Sequence, residues 1–308
     1  MRSLLPLGLL MISSLVLALY SAIDQSSNED ELVLRLKIES IEAVKAKIEA
    51  IEVALKDNWV EYRDDKKSAN FAADLRKGRE YLGKVARIAA RQIIGKAEAL
   101  SLDDYGLGAQ EAGEFEVVAK GKSHVFKVGR KSFQSAERYF LEEESGMIFL
   151  AKHDFFINLI EASRNLKKVN LMPEAVDLAS IEIMRGSQKV QLLSTHESKD
   201  QLLWKKNGET KVSEIFEQWL DQFFALKIKK HHIEQPELEG LTLVFEVAAS
   251  WQPEKMDKEN FSYRIFSEES GSEGTRYWAE SVVDGFWFQL NDPQISKILK
   301  NFNDIPLD

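Results

Sequence analysis

No cysteine occurs among the 308 residues. That absence excludes disulfides, thiolate metal sites, a cysteine nucleophile and a lipidated N-terminal cysteine. It leaves the compartment open, because a chain without thiols is indifferent to redox conditions. Proline is scarce at six residues, and only 16 glycines are present, which leaves little room for long linkers. Positive charge is in the minority. The 41 Lys and Arg against 50 Asp and Glu give a net charge of -9 and a pI near 5.3, which argues against affinity for phosphate backbones and so against a nucleic-acid partner. The remaining composition, 44% hydrophobic and 30% charged, is that of an ordinary globular chain, and the length suggests two domains.

Long apolar runs are absent with one exception. Residues 4–23, LLPLGLLMISSLVLALYSAI, carry no charge, and as a helix at about 1.5 Å per residue they reach roughly 30 Å, the thickness of a hydrocarbon core. The Leu, Ile and Val residues of this run favour insertion by about 3 to 7 kcal/mol. Arg2 precedes the run and no Lys or Arg follows it until Arg35, so the positive-inside rule places the bulk of the chain outside the cytoplasm. The expectation is a single-pass anchor in the bacterial cytoplasmic membrane, contacting the bilayer through residues 4–23. A cleaved signal peptide with a site at Val16-Leu17-Ala18 is the alternative, and it exports the remainder equally.

The acidic stretch 24–31, DQSSNEDE, reads as a solvated spacer. Leu32, Leu34, Leu36 and Ile38, then Ile51, Val53 and Leu55, alternate as strands with one buried face require. An amphipathic helix over 38–56 is the competing reading, because that stretch is rich in Glu, Lys and Ala.

Short motifs then recur at a spacing of about 140 residues, as a duplicated unit requires. ESIEA from Glu39 returns as ASIEI from Ala179; ERYF from Glu137 returns as TRYW from Thr275; GMIF from Gly146 returns as GFWF from Gly285. Trp59 precedes a helix expected over 72–94, and Trp204 precedes one expected over 213–227. In the second helix Val212, Ile215, Phe216, Trp219, Leu220, Phe223 and Phe224 form one apolar face, with Ser213 as cap. In the first, Leu75, Leu82, Val85, Ala89 and Ile93 form a thinner stripe. Alternating segments with Gly121, Gly146 and Gly285 between them imply hairpins, and short closing helices are expected over 160–168 and 293–302. The expected fold is α+β: an N-terminal transmembrane helix followed by two tandem repeats of an antiparallel sheet packed with a helix. The expected boundaries are 1–27 for anchor and spacer, 28–172 for the first repeat and 173–308 for the second.

The tryptophan strand and helix, Tyr105-Gly106-Leu107, Val128-Gly129, Arg138-Tyr139-Phe140 and the restarted ASIEI strand resemble a bacterial membrane-anchored family, domain of unknown function 4340, over residues 32 to 303 or so. The resemblance implies an N-terminal membrane helix, extracytoplasmic repeats and an accessory role beside ABC transporter subunits of the gliding-motility type. Gly108, Ala109 and Gln110 stand where a proline often follows the Tyr-Gly-Leu turn, and the second copy keeps only Glu239-Gly240-Leu241. The family has no established active site, so no functional residue transfers.

Catalytic chemistry finds little support. Gly106-Leu107-Gly108 lacks the third glycine and the lysine of a phosphate loop. No His-Glu-x-x-His occurs, and adjacent His231 and His232 would point to opposite faces of a strand, leaving only a weak surface site with Glu234. His153-Asp154 has no nucleophile elbow to serve. Glu142, Glu143, Glu144, Glu268 and Glu269 read as hairpin charge, and Trp251, Trp278 and Trp287 as core rather than a sugar platform. One feature has a use: Lys56–Lys96 holds 11 Lys and Arg against 6 Asp and Glu, and Arg76, Lys84, Arg87 and Arg91 on the expected basic helix are candidates for binding lipid heads or an acidic partner. A solvated face with pairs such as Arg76 and Glu80 is the structural alternative. The sequence thus suggests a noncatalytic envelope protein without cofactor or metal, a binding subunit of an ABC-transporter-type complex. An exported glycan- or peptide-binding module using the groove between its copies comes second, and an exported hydrolase third.

Overall fold

A computed structural model describes residues 31–108, 112–133, 137–173, 175, 178–198, 201–206, 214–238, 240–252, 258–269 and 274–302. The run 4–23, Ser213 and Val212 lie outside the described residues. Among the described residues, no helix is long and apolar enough to cross a membrane.

In chain order the first part contains β1 (Glu31–Arg35), β2 (Ile41–Ile48), β3 (Ile51–Lys56), β4 (Trp59–Arg63), β5 (Ser68–Ala72), α1 (Leu75–Val85), β6 (Arg87–Lys96), β7 (Gly113–Ala119), β8 (Lys122–Lys131), β9 (Arg138–Glu142), β10 (Met147–Ala151), α2 (Phe155–Ile160) and α3 (Ala162–Asn165). The second contains β11 (Leu178–Arg185), β12 (Gln188–Ser198), β13 (Gln201–Lys206), α4 (Glu214–Phe224), β14 (Ile228–His232), β15 (Thr242–Trp251), β16 (Glu259–Glu269), β17 (Thr275–Ser281), β18 (Trp287–Leu290) and α5 (Asp292–Phe302). The strand reading of 38–56 prevails over the helix: β2 buries Val44 and Ala46 between exposed Lys45 and Lys47, and β3 buries Val53 and Leu55.

The helix expected over 72–94 is shorter. It spans Leu75–Val85, capped by Asp74, whose Oδ1 accepts the Lys77 N–H at 3.1 Å. From Arg87 the chain is a strand, with Ile88 and Ala90 buried, paired to β1 on one edge and β10 on the other. Ala89 and Ile93 thus belong to β6; their helical spacing from Leu82 and Val85 is a coincidence of the two periods. Likewise the second helix ends at Phe224, and the stretch expected as a helix over 160–168 is helical only to Asn165 and continues as extended chain.

The chain forms two compact units, 1–49 with 82–157 and 50–81 with 158–308, and the division falls inside α1. Units and repeats therefore differ: residues 50–81, sequentially part of the first repeat, and 158–172 belong to the second unit rather than to one ending at 172.

In the first unit the strands run in the antiparallel order β1-β6-β10-β9-β8-β7-β2. Gly121 and Gly146, at φ +71° and +67°, turn the β7–β8 and β9–β10 hairpins. Phe155 of α2 lies 4.9 Å from Phe115 and 4.8 Å from Phe140, and Phe149 stacks on Phe140 at 5.8 Å. The second unit holds the meander β3-β4-β5 and a sheet of order β13-β12-β11-β15-β16-β17-β18-β14. Trp219 of α4, fully buried in its core, stacks with Phe223 at 5.2 Å and Phe302 at 5.0 Å, and its Nε1 donates to the Ile298 carbonyl of α5 at 3.1 Å.

The duplication is visible in topology. The order β2-β7-β8-β9-β10-β6 of the first unit is matched strand for strand by β11-β15-β16-β17-β18-β14 of the second. In each copy the first of these strands is followed in sequence by a meander carrying a buried tryptophan, Trp59 or Trp204, and then by a helix.

Three of the short motifs, Tyr105-Gly106-Leu107, Val128-Gly129 and Arg138-Tyr139-Phe140, meet in the first unit, whereas the Trp59 strand and the ASIEI strand belong to the second. Gly106 takes φ +67°, and Gly129 lies so close that an added Cβ would collide with the Tyr105 carbonyl oxygen. Tyr105 packs edge-on against Tyr139 at 5.0 Å, Arg138 donates to the Gly129 carbonyl at 3.1 Å, and Leu107 is buried with Leu141 and Ile148. These residues dock a turn on a sheet. Gly129→Ala is expected to cost about 1–3 kcal/mol in chemical denaturation. Gly121→Ala, with open space around it, should cost only the left-handed penalty of roughly 1–2 kcal/mol. A Gly129 variant as stable as the native chain would dismiss the docking.

Candidate functional site

The site is built on the extended segment that follows α3. Two residue types drive it: polar residues that leave helical pattern after Asn165, and Leu171 and Met172, which bury fully. The Leu166 carbonyl accepts the Asp74 N–H at 2.7 Å and the Lys168 N–H donates to the Ala72 carbonyl at 2.9 Å. On the other side, the Ile228 N–H donates to the Val169 carbonyl at 2.8 Å and the Leu171 N–H to the Leu226 carbonyl at 2.8 Å. Residues 166–171 thus form a strap, bonded on one side to the end of β5 and on the other to the start of β14, all within the second unit.

Beside the strap lies a cleft of about 390 Å³, within the usual range of ligand pockets. Its floor is aromatic: Trp251, Phe261, Tyr263, Phe286 and Phe288 from the sheet. Its rim is charged, with Arg76 and Lys77 from the first turn of α1 and Lys167 and Lys168 from the strap. Residues of both sequence repeats therefore line one cavity inside one unit.

The carboxylates at the rim are committed elsewhere. Asp74 caps α1, Glu80 pairs with Arg76 at 3.2 Å, and Asp284 accepts the Ser281 hydroxyl at 3.1 Å. The Lys168 ammonium donates to Tyr263 Oη at 2.5 Å and lies over the Tyr263 and Phe288 rings at 4.9 and 5.6 Å. Lys167 lies over Phe71 at 5.8 Å. Trp251 Nε1 is buried with no hydrogen-bond partner.

Family models, curated proteins and solved structures were each compared without a match.

His231 of β14 closes the junction from beneath. Its Nδ1 accepts the Ala72 N–H at 3.3 Å, and its ring sits edge-on to Phe288 at 5.5 Å. Burial, helped by the nearby Lys167, Lys168 and His232 charges, lowers its pKa to about 3. A neutral imidazole is required, because only the deprotonated Nδ1 can accept. His232 faces Trp278 at 5.5 Å, and burial, with Lys230, lowers its pKa as well. The pair does point apart on a strand. Among the described residues no group of three His, Asp or Glu side chains could hold a metal.

Other sequence candidates disperse. Arg76 and Lys84 lie on α1, whereas Arg87 and Arg91 lie on β6, so the four do not share a helix face. Arg76 forms the ion pair with Glu80, and Arg91 meets Glu137 at 2.8 Å. Asp154 holds Arg138 at 3.0 Å and caps α2 through the Ile157 N–H, which leaves it no role as an imidazole orienter. Glu143 and Glu144 pair with Lys127 and Lys122 on the β8–β9 side, and Glu268 accepts Trp278 Nε1 at 2.9 Å. Trp251, Trp278 and Trp287 are buried, as core residues. Sequence reasoning missed Lys167 and Lys168; their only signal was a charged doublet directly before Val169-Asn170-Leu171-Met172.

The His231 geometry sets a pH dependence. Its folded pKa lies below the unfolded value, so its contribution is complete above about pH 6.5 and is lost as the pH falls towards 3, because the unfolded chain takes the proton first. The slope is at most about 1.4 kcal/mol per pH unit for one proton. His231→Asn, which keeps an acceptor near Nδ1 but does not titrate, should flatten the fall in melting temperature between pH 6 and 4 without removing it, since His232 shifts in the same sense. An unchanged slope would dismiss the histidine clip.

Proposed function

We propose that the protein is a noncatalytic, membrane-tethered extracytoplasmic binding protein whose second unit captures a glycan or peptide in the cleft beside the 166–171 strap. The tether and the location rest on the apolar run 4–23 and its charge flanks. The binding role rests on one observation: a cavity of about 390 Å³ with an aromatic floor and a lysine-rich rim, lined by residues of both repeats. An accessory transporter subunit needs no such cavity. A ligand-binding module does, which moves the weight from the first sequence expectation to the second.

The architecture supports binding rather than turnover. The rim acids are engaged in a cap, an ion pair and a hydroxyl hydrogen bond, none set opposite another as acid and base. The floor side chains are buried in the core of the unit, so the cavity is formed by packing and needs no closing motion.

Full-length protein in lipid nanodiscs, titrated with panels of envelope glycans and short peptides while tryptophan emission is followed, should show saturable binding to a member of one panel. Asn170→Trp, which fills the cleft from its exposed rim, should weaken that binding about tenfold or more. Saturable binding to no member of either panel would overturn the reading. Separately, a reporter fused to Asp308 should be active only in the extracytoplasmic space; a cytosolic signal would remove the tether.

A further inference from the structure

We infer that the ligand of this cleft is an acid: an anionic group set against Lys168, with Lys77 and Lys167 also lining the rim, joined to an apolar or ring portion that lies on the Phe286 and Phe288 side of the floor. The inference rests on the proposed binding role and specifies the chemistry it recognises.

The argument is one of unbalanced charge in a protein with an excess of acid. The chain as a whole carries -9, yet the cleft rim presents four cations, Arg76, Lys77, Lys167 and Lys168. Only Arg76 has a carboxylate partner, Glu80. Lys77, Lys167 and Lys168 have none among the described residues. Lys167 and Lys168 instead rest on ring faces, and Lys168 donates to a phenol oxygen. A ring face and a phenol orient an ammonium without neutralising it, so its remaining donors keep their full charge for an incoming anion. The two other carboxylates at the rim, Asp74 and Asp284, bond a backbone N–H and a serine hydroxyl and keep their charge, so four cations against three carboxylates leave the rim one positive charge in excess.

The uncharged part of the ligand is specified by the floor. Phe286 and Phe288 line the cleft next to Tyr263, and the adjoining rim exposes Val169 at 50%. A ligand that is only an anion, such as inorganic phosphate, would leave this apolar surface wet. An uncharged apolar ligand would leave three ammonium groups with nothing to gain.

N-benzoylglycine, a carboxylate with a ring, and N-benzoylglycinamide, its neutral isostere, serve as probes, with phenyl phosphate to distinguish a carboxylate source from a phosphate source. Titrated into the full-length protein in nanodiscs of neutral lipid, against empty nanodiscs as background, the acid should bind at least about tenfold more tightly than the amide. Added salt should narrow the gap. Lys168→Met keeps the aliphatic stem over the rings, and it should bring the acid down to the affinity of the amide while leaving the amide unchanged. Lys77→Met, at an exposed helix position, is a second variant that does not disturb the floor and should weaken the acid by a smaller factor. Equal binding of acid and amide, both blocked by Asn170→Trp, would overturn the acidic specificity and keep the cleft as a binding site. Binding of none of the probes, with no effect of Asn170→Trp on any titration, would count against both.

Discussion

The second unit depends on the strap formed by residues 166–171. An extended segment in a protein interior must find partners for its N–H and carbonyl groups on both edges or lose a few kcal/mol for each that is buried unpaired. Here one edge is met by Ala72 and Asp74 and the other by Leu226 and Ile228, so the strap is both joint and spacer. It ties the end of a first-repeat meander to the edge strand of the second-repeat sheet, and the Ala72 N–H reaches His231 of that strand directly. The cleft lies beside the strap, lined by its residues Lys167 to Asn170 and by the floor aromatics. Lys167 and Lys168 stand at it because their backbone is fixed on both sides.

Duplication explains why such a joint exists. Each copy of the repeat supplies a sheet and a helix with meander, and in the second copy α4 closes over its own sheet through Trp219 and Phe223 against Phe245 of β15. The equivalent residues of the first copy, 50–81, also belong to the second compact unit, where Trp59 and Ala72 join the same core as Trp251 and Phe288. Trp59 lies 4.9 Å from Phe286, so an aromatic from one repeat buttresses the floor made by the other. A chain with two independent, self-contained repeats would have no cavity lined by both inside one compact unit. The departure of the compact units from the sequence repeats is the structural origin of the site.

The repeat was legible in the sequence because it left paired motifs in constant order, and hairpins were legible because glycine marks positive φ at Gly121, Gly146 and Gly285. The first helix was read too long, since Leu82, Val85, Ala89 and Ile93 satisfy a helical period while Ile88 and Ala90 satisfy a strand period. Only pairing with β1 and β10, a long-range property, decides between them. The compact units were not legible at all: nothing local to residues 50–81 says with which sheet they will pack. Nor was the site. Its lysines occupy an ordinary polar connection, and its aromatics are rightly read as core, since they serve as core on one side and as floor on the other. The four basic residues chosen from the sequence were a feature of composition, and the fold distributes them over a helix and a strand.

The chemistry of the cleft and the stability of its joint are close enough to interfere, and the order of physical causes keeps them apart. Lys167 and Lys168 disfavour a proton on His231, but burial is the larger cause of its neutrality. An anion entering the cleft offsets the lysine charges and leaves the desolvation untouched. His231 therefore stays neutral and continues to accept the Ala72 N–H whether the lysines are compensated or not. Had the Coulombic contribution dominated, neutralising the lysines would invite protonation of the imidazole and break the bond that holds β5 against β14. The joint is secured by exclusion of water, and the proposed recognition by charge, so filling and emptying a site bordered by several ammonium groups would not loosen the strands that shape it.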